Sequence, residues 1–460
     1  MEASEFAGLS GPDFLAWVRQ IQRLGGCASP IYLTGHTITR DAVSGEVLHV
    51  FTSASQPYGT FAVGCRNRRE TVCLPCSYLH KGDTYQIIVS GLSGGKGVPE
   101  DVAAHPRLFA TLTAPSFGPV HRAADPDAPR QVCRARRDAP VCAHGVSMAC
   151  YARHRLRDDV VGAPLCVDCY DYVGAVLWNA SVGRLWHRVV TYTGRELAKS
   201  QGLRVRELPD HARVSFAKVV EYQARGSVHI HAVIRCDGPD GPGDPAPGWA
   251  SAAVLGDAVV AAVGAVRIEV PDLLGELQSF VFGAQLDVQE IGGVLDEVSD
   301  TAVAAYIAKY VTKGDDRRVV LASRLRSAGQ IEMAPGLSEH GRRLMRTAWE
   351  LSGLPQYAGL NLRVWAHQAG FRGHIATKSR LYSTTYGALR AARSAFGRSD
   401  EFEGIATVTD SVWHFDHVGH ASGHAMVARG IAEGLAAARV ARHRRVQIDA
   451  REARAGGWVV

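Results

Sequence analysis

Residues 212–235 read ARVSFAKVVEYQARGSVHIHAVIR, two β-favouring runs joined by Ala-Arg-Gly. A short connection between such runs is a hairpin signal. Alternate residues of a strand share a face, so His229 and His231 project together while Val228 and Ile230 project to the other side. If Ala-Arg-Gly is a three-residue turn, Glu221 comes opposite His229, with Gln223 on the same side. A two-residue turn would shift the register by one and put Tyr222 there instead. Two imidazoles and one oxygen ligand suit a divalent ion, Mn²⁺ with Mg²⁺ as the alternative, and leave positions open for substrate.

Outward from the hairpin, strands and helices interleave. RLFATLTAP (107–115) alternates as a buried strand and stops at proline, and a long helix is expected from residue 171. Past a Gly/Pro-rich loop at 236–248 come a helical stretch at 251–265, a strand at 284–291 and a helix carrying YIAKYVTK (306–313). A hairpin at the centre of this order favours an α+β antiparallel sheet over a parallel one. The first 105 residues hold a short helix (13–24) and strand-like runs at 30–38 and 45–52. Residues 106–320 form the central domain with a Cys-rich insertion at about 130–170, and 321–460 read as mainly helical, ending in the basic RVARHRRVQ. GLSGGKG (91–97) is one residue short of a P-loop and has Gly97 where Ser or Thr should bind magnesium, so no ATPase is expected.

The chain has 460 residues, 46% hydrophobic and 21% charged, enough apolar material for real cores. A net charge of +6 is compatible with a polyanionic partner without requiring one. No apolar run approaches the length of a membrane span, and the acidic start does not resemble a signal peptide. The expectation is a cytoplasmic protein in which ten cysteines serve as ligands rather than disulfides.

In YIAKYVTK, Tyr306 and Tyr310 share one helix face, and Lys309 and Lys313 fall close to it. Lysine is almost never fully buried unpaired, so an ordinary core stripe does not explain this face. Tyrosine is a poor nucleophile alone; a metal-polarised phosphodiester beside it would be attackable, with a lysine stabilising the developing anion.

FATLTAP (109–115), HIH (229–231) and YIAKYVTK together resemble the three ordered motifs of HUH endonucleases. GCASPIYLTG (26–35), CRNRRETVCLPC (65–76), LFATLTAPSFGPVH (108–121), PLCVDCYDYVGAVLWNA (164–180), VAAYIAKYVTK (303–313) and GFRGHIATKSRLYSTTYGALRAAR (370–393) resemble actinobacterial plasmid and integrative-element replication initiators. The resemblance implies a ferredoxin-like antiparallel sheet with flanking helices, and rolling-circle initiation by single-strand nicking through a 5′-phosphotyrosine. It implies His229 and His231 as metal ligands and Tyr310 and Tyr306 as nucleophile candidates, Tyr310 aligning with the nucleophile of single-tyrosine members. The partner implied is a single-stranded or hairpin origin, with host helicase and polymerase supplying strand separation and synthesis. Two rivals stay open: the same chemistry in a relaxase or transposase, and a non-catalytic zinc-dependent DNA-binding regulator.

The cysteines cluster. Cys73-x2-Cys76, with Cys65 upstream and Cys27 as a distant fourth, has zinc-ribbon-like spacing. Cys166-x2-Cys169 is a second pair whose partners come from Cys133, Cys142, His144, Cys150 and His154, with Cys142 and Cys150 favoured and His154 the competitor. Two structural zinc ions are the expectation. Residues 370–393 mix Arg, Lys, Ser, Thr and Tyr and are a candidate phosphate-contacting segment.

Overall fold

The computed structural model describes residues 10–125, 131–138, 140–292, 299–312, 318–396 and 404–456. The chain divides into two compact units, Met1–Asp83 with Gly387–Val460, and Thr84–Tyr386. The division differs from the sequence reading, which kept the first 105 and last 140 residues apart. The reason is a strand pairing with no local signature, described next.

In the first unit, α1 (Gly11–Arg23) is amphipathic with Pro12 at its start, where a missing N–H costs nothing. It precedes β1 (Ile31–Asp41), β2 (Val47–Thr52), β3 (Phe61–Val63) and the beginning of α2 (Leu74–Ser93). β1 carries β2 and β3 on one edge and β11 (Thr407–Val418) along all of the other, from Ile31↔Val418 to Asp41↔Thr407. The basic helix α10 (Ser422–Gly456) follows β11. Trp17, Ile21, Tyr32, Ala62 and Ala428 make a small core, in which the Trp17 indole donates to the Tyr32 hydroxyl at 2.9 Å. The "mainly helical" expectation for 321–460 therefore fails at β11. Nearly every residue of that strand is exposed, so no apolar alternation marks it.

The second unit is built on a five-stranded antiparallel sheet among the described residues, in the order β10 (Ala376–Lys378), β5 (Arg213–Tyr222), β6 (Val228–Asp237), β4 (Arg107–Leu112), β9 (Leu286–Glu290). Chain connectivity is β4, α3 (Tyr172–Ser200), β5, β6, α4 (Ala252–Ala265), a small hairpin of β7 (Ile268–Pro271) and β8 (Leu277–Phe280), then β9. α5 (Asp300–Thr312) follows, then α6 (Gly329–Glu332), α7 (Glu339–Leu351), α8 (Leu362–Trp365) and β10, before the chain returns to the first unit at the start of α9 (Tyr386–Phe396). The mixed α and antiparallel-β class agrees with the sequence.

The period of two along β4 and β6 divides the sheet. Leu108, Ala110, Leu112, Ile230, Ala232 and Ile234 pack under α3 and α4, while Val219 and Val233 meet Ile88 and Leu92 of α2 and Val303, Ile307 and Val311 of α5. α5 is tied down at its first turn, where the Arg107 guanidinium donates to both Asp300 oxygens at 2.8 Å and Ser93 donates to Asp300 at 2.6 Å. Under the same face Arg235, fully buried, holds the Asp237 carboxylate (2.5 and 2.9 Å), which also meets Ser215 and His105.

Candidate metal centre and tyrosine helix

The β5–β6 turn has three residues: Gly226 N–H donates to the Gln223 carbonyl and Gln223 N–H to that of Ser227, so Tyr222 pairs with Val228 and Glu221 with His229. Glu221, His229 and His231 thereby converge. Nε2 of His229 lies 3.1 Å from Glu221 Oε2 and 3.2 Å from Nε2 of His231, which is 3.6 Å from the same carboxylate. Adjacent ligands of an octahedral ion with bonds of about 2.1 Å stand roughly 3 Å apart, so this donor set fits one face of such an ion and leaves the opposite face open. His231 is 2% exposed, and burial pushes its pKa down, which favours the neutral, ligating imidazole.

β4 supplies the support. Thr111, opposite His231, places its hydroxyl 3.0 Å from His231 Nδ1, and the Phe109 ring runs parallel to the imidazole with centroids 6.0 Å apart. With Nδ1 engaged, Nε2 is the atom turned to the donor set. We expect Thr111→Val, which keeps shape and loses the hydroxyl, to weaken Mn²⁺ binding by about 10–100-fold in calorimetry, with an unchanged circular dichroism spectrum. Sequence reading missed Thr111 and Phe109 as supports, although the alternation of FATLT already put both on one face.

α5 brings the tyrosines to this cluster. The Tyr306 hydroxyl is 3.4 Å from Nε2 of His231; the Tyr306 and Tyr310 rings are 5.1 and 5.5 Å from the imidazole and 4.6 Å from each other. Burial, and then the neighbouring Tyr310 and Glu221, push the Tyr306 pKa up. Lys309 lies with Nζ 5.7 Å from the Tyr310 ring centre. Lys313 lies outside the described residues. Gln223 takes a different partner, accepting from Arg225 Nε at 2.9 Å, while Arg225 also donates to the carbonyls of Ala114 and Pro115 at the end of β4. Its oxygen serves the turn.

The ten cysteines are free thiols, and among the described residues three Cys/His groups could each hold a metal ion. Cys27, Cys65, Cys73 and Cys76 form one, as the spacing suggested. Sγ of Cys27 lies 3.8 and 3.6 Å from those of Cys73 and Cys76, and backbone N–H groups of Ala28, Cys65 and Asn67 point at the sulfurs of Cys73, Cys27 and Cys65. These separations are far beyond the disulfide length of about 2.05 Å. The Cys166/Cys169 expectation is regrouped: Cys142 and His144 join that pair, while Cys150 and His154 join His121 and Cys133 in a third group. Local spacing could not separate them, because the two groups alternate along the chain.

In the 370–393 segment, Lys378 Nζ donates to the carbonyls of Ser379, Arg380 and Ser383, and Tyr382 is buried with its hydroxyl on the Ile88 carbonyl. These two side chains hold the loop together. Among the described residues no helix is long and apolar enough to cross a membrane.

No solved structure matches this chain. A curated replication initiator protein of Streptomyces ambofaciens is 41% identical over 441 residues, which is 93% of this chain and 91% of the relative. The sequence model of the family described as replication initiator protein, pSAM2, matches residues 13–433. With a full-length relative and a family match over most of its length, the chain belongs to this family of replication initiator proteins.

Proposed function

We propose that the protein is a metal-dependent HUH endonuclease and strand transferase that starts rolling-circle replication by nicking one DNA strand at an origin. The observation that carries this reading is the convergence of His229, His231 and Glu221 with the Tyr306 hydroxyl, 3.4 Å from His231, and the Tyr310 ring, 5.5 Å from the same imidazole. The β-α-β-β-α-β connectivity, with the histidine strand central, supports the ferredoxin-like form of that fold.

Glu221, His229 and His231 would hold Mn²⁺ or Mg²⁺, which when bound supplies Lewis-acid polarisation of a phosphodiester oxygen. Tyr310 or Tyr306 attacks the phosphorus; the bond to the 3′-oxygen breaks, that oxygen ends with the proton, and the 5′-phosphate stays on the tyrosine. Lys309 offsets the developing negative charge. The free 3′-hydroxyl primes a host polymerase, a host helicase opens the duplex, and the second tyrosine is one helical turn away for the rejoining transfer. The Cys27 group and the Cys142/His144/Cys166/Cys169 group are structural zinc sites in this reading, closed by four protein ligands each.

Single-stranded oligonucleotides tiling the replicon that encodes the protein, incubated with it and Mn²⁺, should yield a DNA-linked protein band on a denaturing gel that EDTA prevents. Binding without any covalent band, for every oligonucleotide and for both metals, would instead favour a non-catalytic DNA-binding role.

A further inference from the structure

The segment between β4 and α3 carries eight cysteine and histidine residues in a telling order: His121 and Cys133, then Cys142 and His144, then Cys150 and His154, then Cys166 and Cys169. The first and third pairs meet in one group and the second and fourth in another. We propose that His121, Cys133, Cys150 and His154 hold a third zinc ion, cross-braced with the one on Cys142, His144, Cys166 and Cys169. The proposal extends the structural-zinc reading above by one site and by a topology.

Distances carry it. Around a tetrahedral zinc with bonds of about 2.3 Å to sulfur and 2.05 Å to nitrogen, ligand atoms stand roughly 3.8 Å (S to S), 3.6 Å (N to S) and 3.3 Å (N to N) apart. In the third group, His121 Nδ1 is 3.2 Å from His154 Nε2, Cys150 Sγ 3.4 Å from His154 Nε2, and Cys133 Sγ 3.7 Å from His121 Nδ1. In its partner, His144 Nδ1 is 3.3, 3.7 and 4.0 Å from the sulfurs of Cys169, Cys166 and Cys142. Both sets match the edges of such a tetrahedron to within a few tenths of an ångström, and neither includes an open position for substrate.

Little regular backbone structure holds the described part of this segment. Between residues 119 and 165 its described backbone holds isolated bridges, Val120↔Pro164, Ala123↔His154, Arg134↔Cys150 and Val141↔Ser147, in place of strands or helices. Two of these bridges contain ligands, so the backbone pairing and the third group fix one another. Each ion closes a loop containing ligands of the other, so the two sites stand together.

The test is metal content and coordination of the full-length chain purified with zinc, in a His229→Ala/His231→Ala background so that the candidate catalytic cluster adds nothing. Three zinc ions per chain are expected by plasma mass spectrometry, and X-ray absorption should report an average ligand ratio of nine sulfurs to three nitrogens, as the three groups dictate. Adding Cys133→Ser should lower the count to two or fewer. Two ions in the parent, with a ratio near seven to one and no change on Cys133→Ser, would overturn the third site and leave the other two. No zinc at all would overturn the zinc reading as a whole. None of these outcomes depends on nicking, so the failure of this proposal and that of the endonuclease reading are separate results.

Discussion

Protein carrying Tyr306→Phe and Tyr310→Phe together is expected to form no DNA-linked band with any origin oligonucleotide, a loss on the order of 10⁴-fold or more, as for removal of a covalent nucleophile elsewhere. Phenylalanine keeps both rings against His231, so the packing at 5.1 and 5.5 Å persists and DNA binding should be retained. Of the single variants, Tyr310→Phe should cost more if Tyr310 is the first nucleophile, as the resemblance to HUH endonucleases implies. Loss confined to Tyr306→Phe would reverse the assignment. A band that survives in the double variant would remove tyrosine chemistry from consideration. Quantitative gels with radiolabelled oligonucleotide read all four proteins side by side.

Asp237→Asn should be the most damaging conservative change in the second unit. Arg235 is fully buried, and its guanidinium meets the Asp237 carboxylate and the Gly91 carbonyl. Neutralising the acid leaves that cation buried without its counter-charge, at a cost of about 3–5 kcal/mol. Urea unfolding at pH 7 would measure it, and a change below about 1 kcal/mol would contradict the argument. Burial alone would raise the Asp237 pKa, but the bonds from His105, Arg235 and Ser215 more than reverse it, and the carboxyl titrates below its usual range. Its stabilisation is therefore complete above the unfolded-state value near 3.9 and is lost as pH falls through the lower folded value. Asp237→Asn should remove that part of the acid limb from the stability curve.

The candidate site was legible because its parts are local. Period-two spacing put His229 and His231 on one face, a three-residue turn aligned Glu221, and helical spacing aligned Tyr306 with Tyr310. The Cys27 group was readable from the neighbouring Cys73-x2-Cys76 pair. What stayed hidden depends on distance along the chain. His121 was never a candidate, since nothing near it in sequence looks like a ligand; Cys142-x-His144 and Cys150-x3-His154 did offer a signal, each being a short-spaced pair that needed a second pair elsewhere. The helical character of α2 beyond Cys76 was also missed, and β11 escaped because an exposed strand has no apolar rhythm.

The pairing of β1 with β11 has a consequence for synthesis. The ribosome finishes Asp41 long before it reaches Thr407, and at 5–20 residues per second the interval is roughly 20–70 s. Throughout that time one edge of β1 has no partner, while every strand of the second unit's sheet emerges within it. The nascent chain thus completes the sheet that carries the histidine pair before it can close the sheet of the first unit. An unpaired strand edge is a template for wrong pairing, so the yield of folded protein should depend on how long that edge waits, and slow decoding between codons 42 and 406 should lower it more than slow decoding elsewhere.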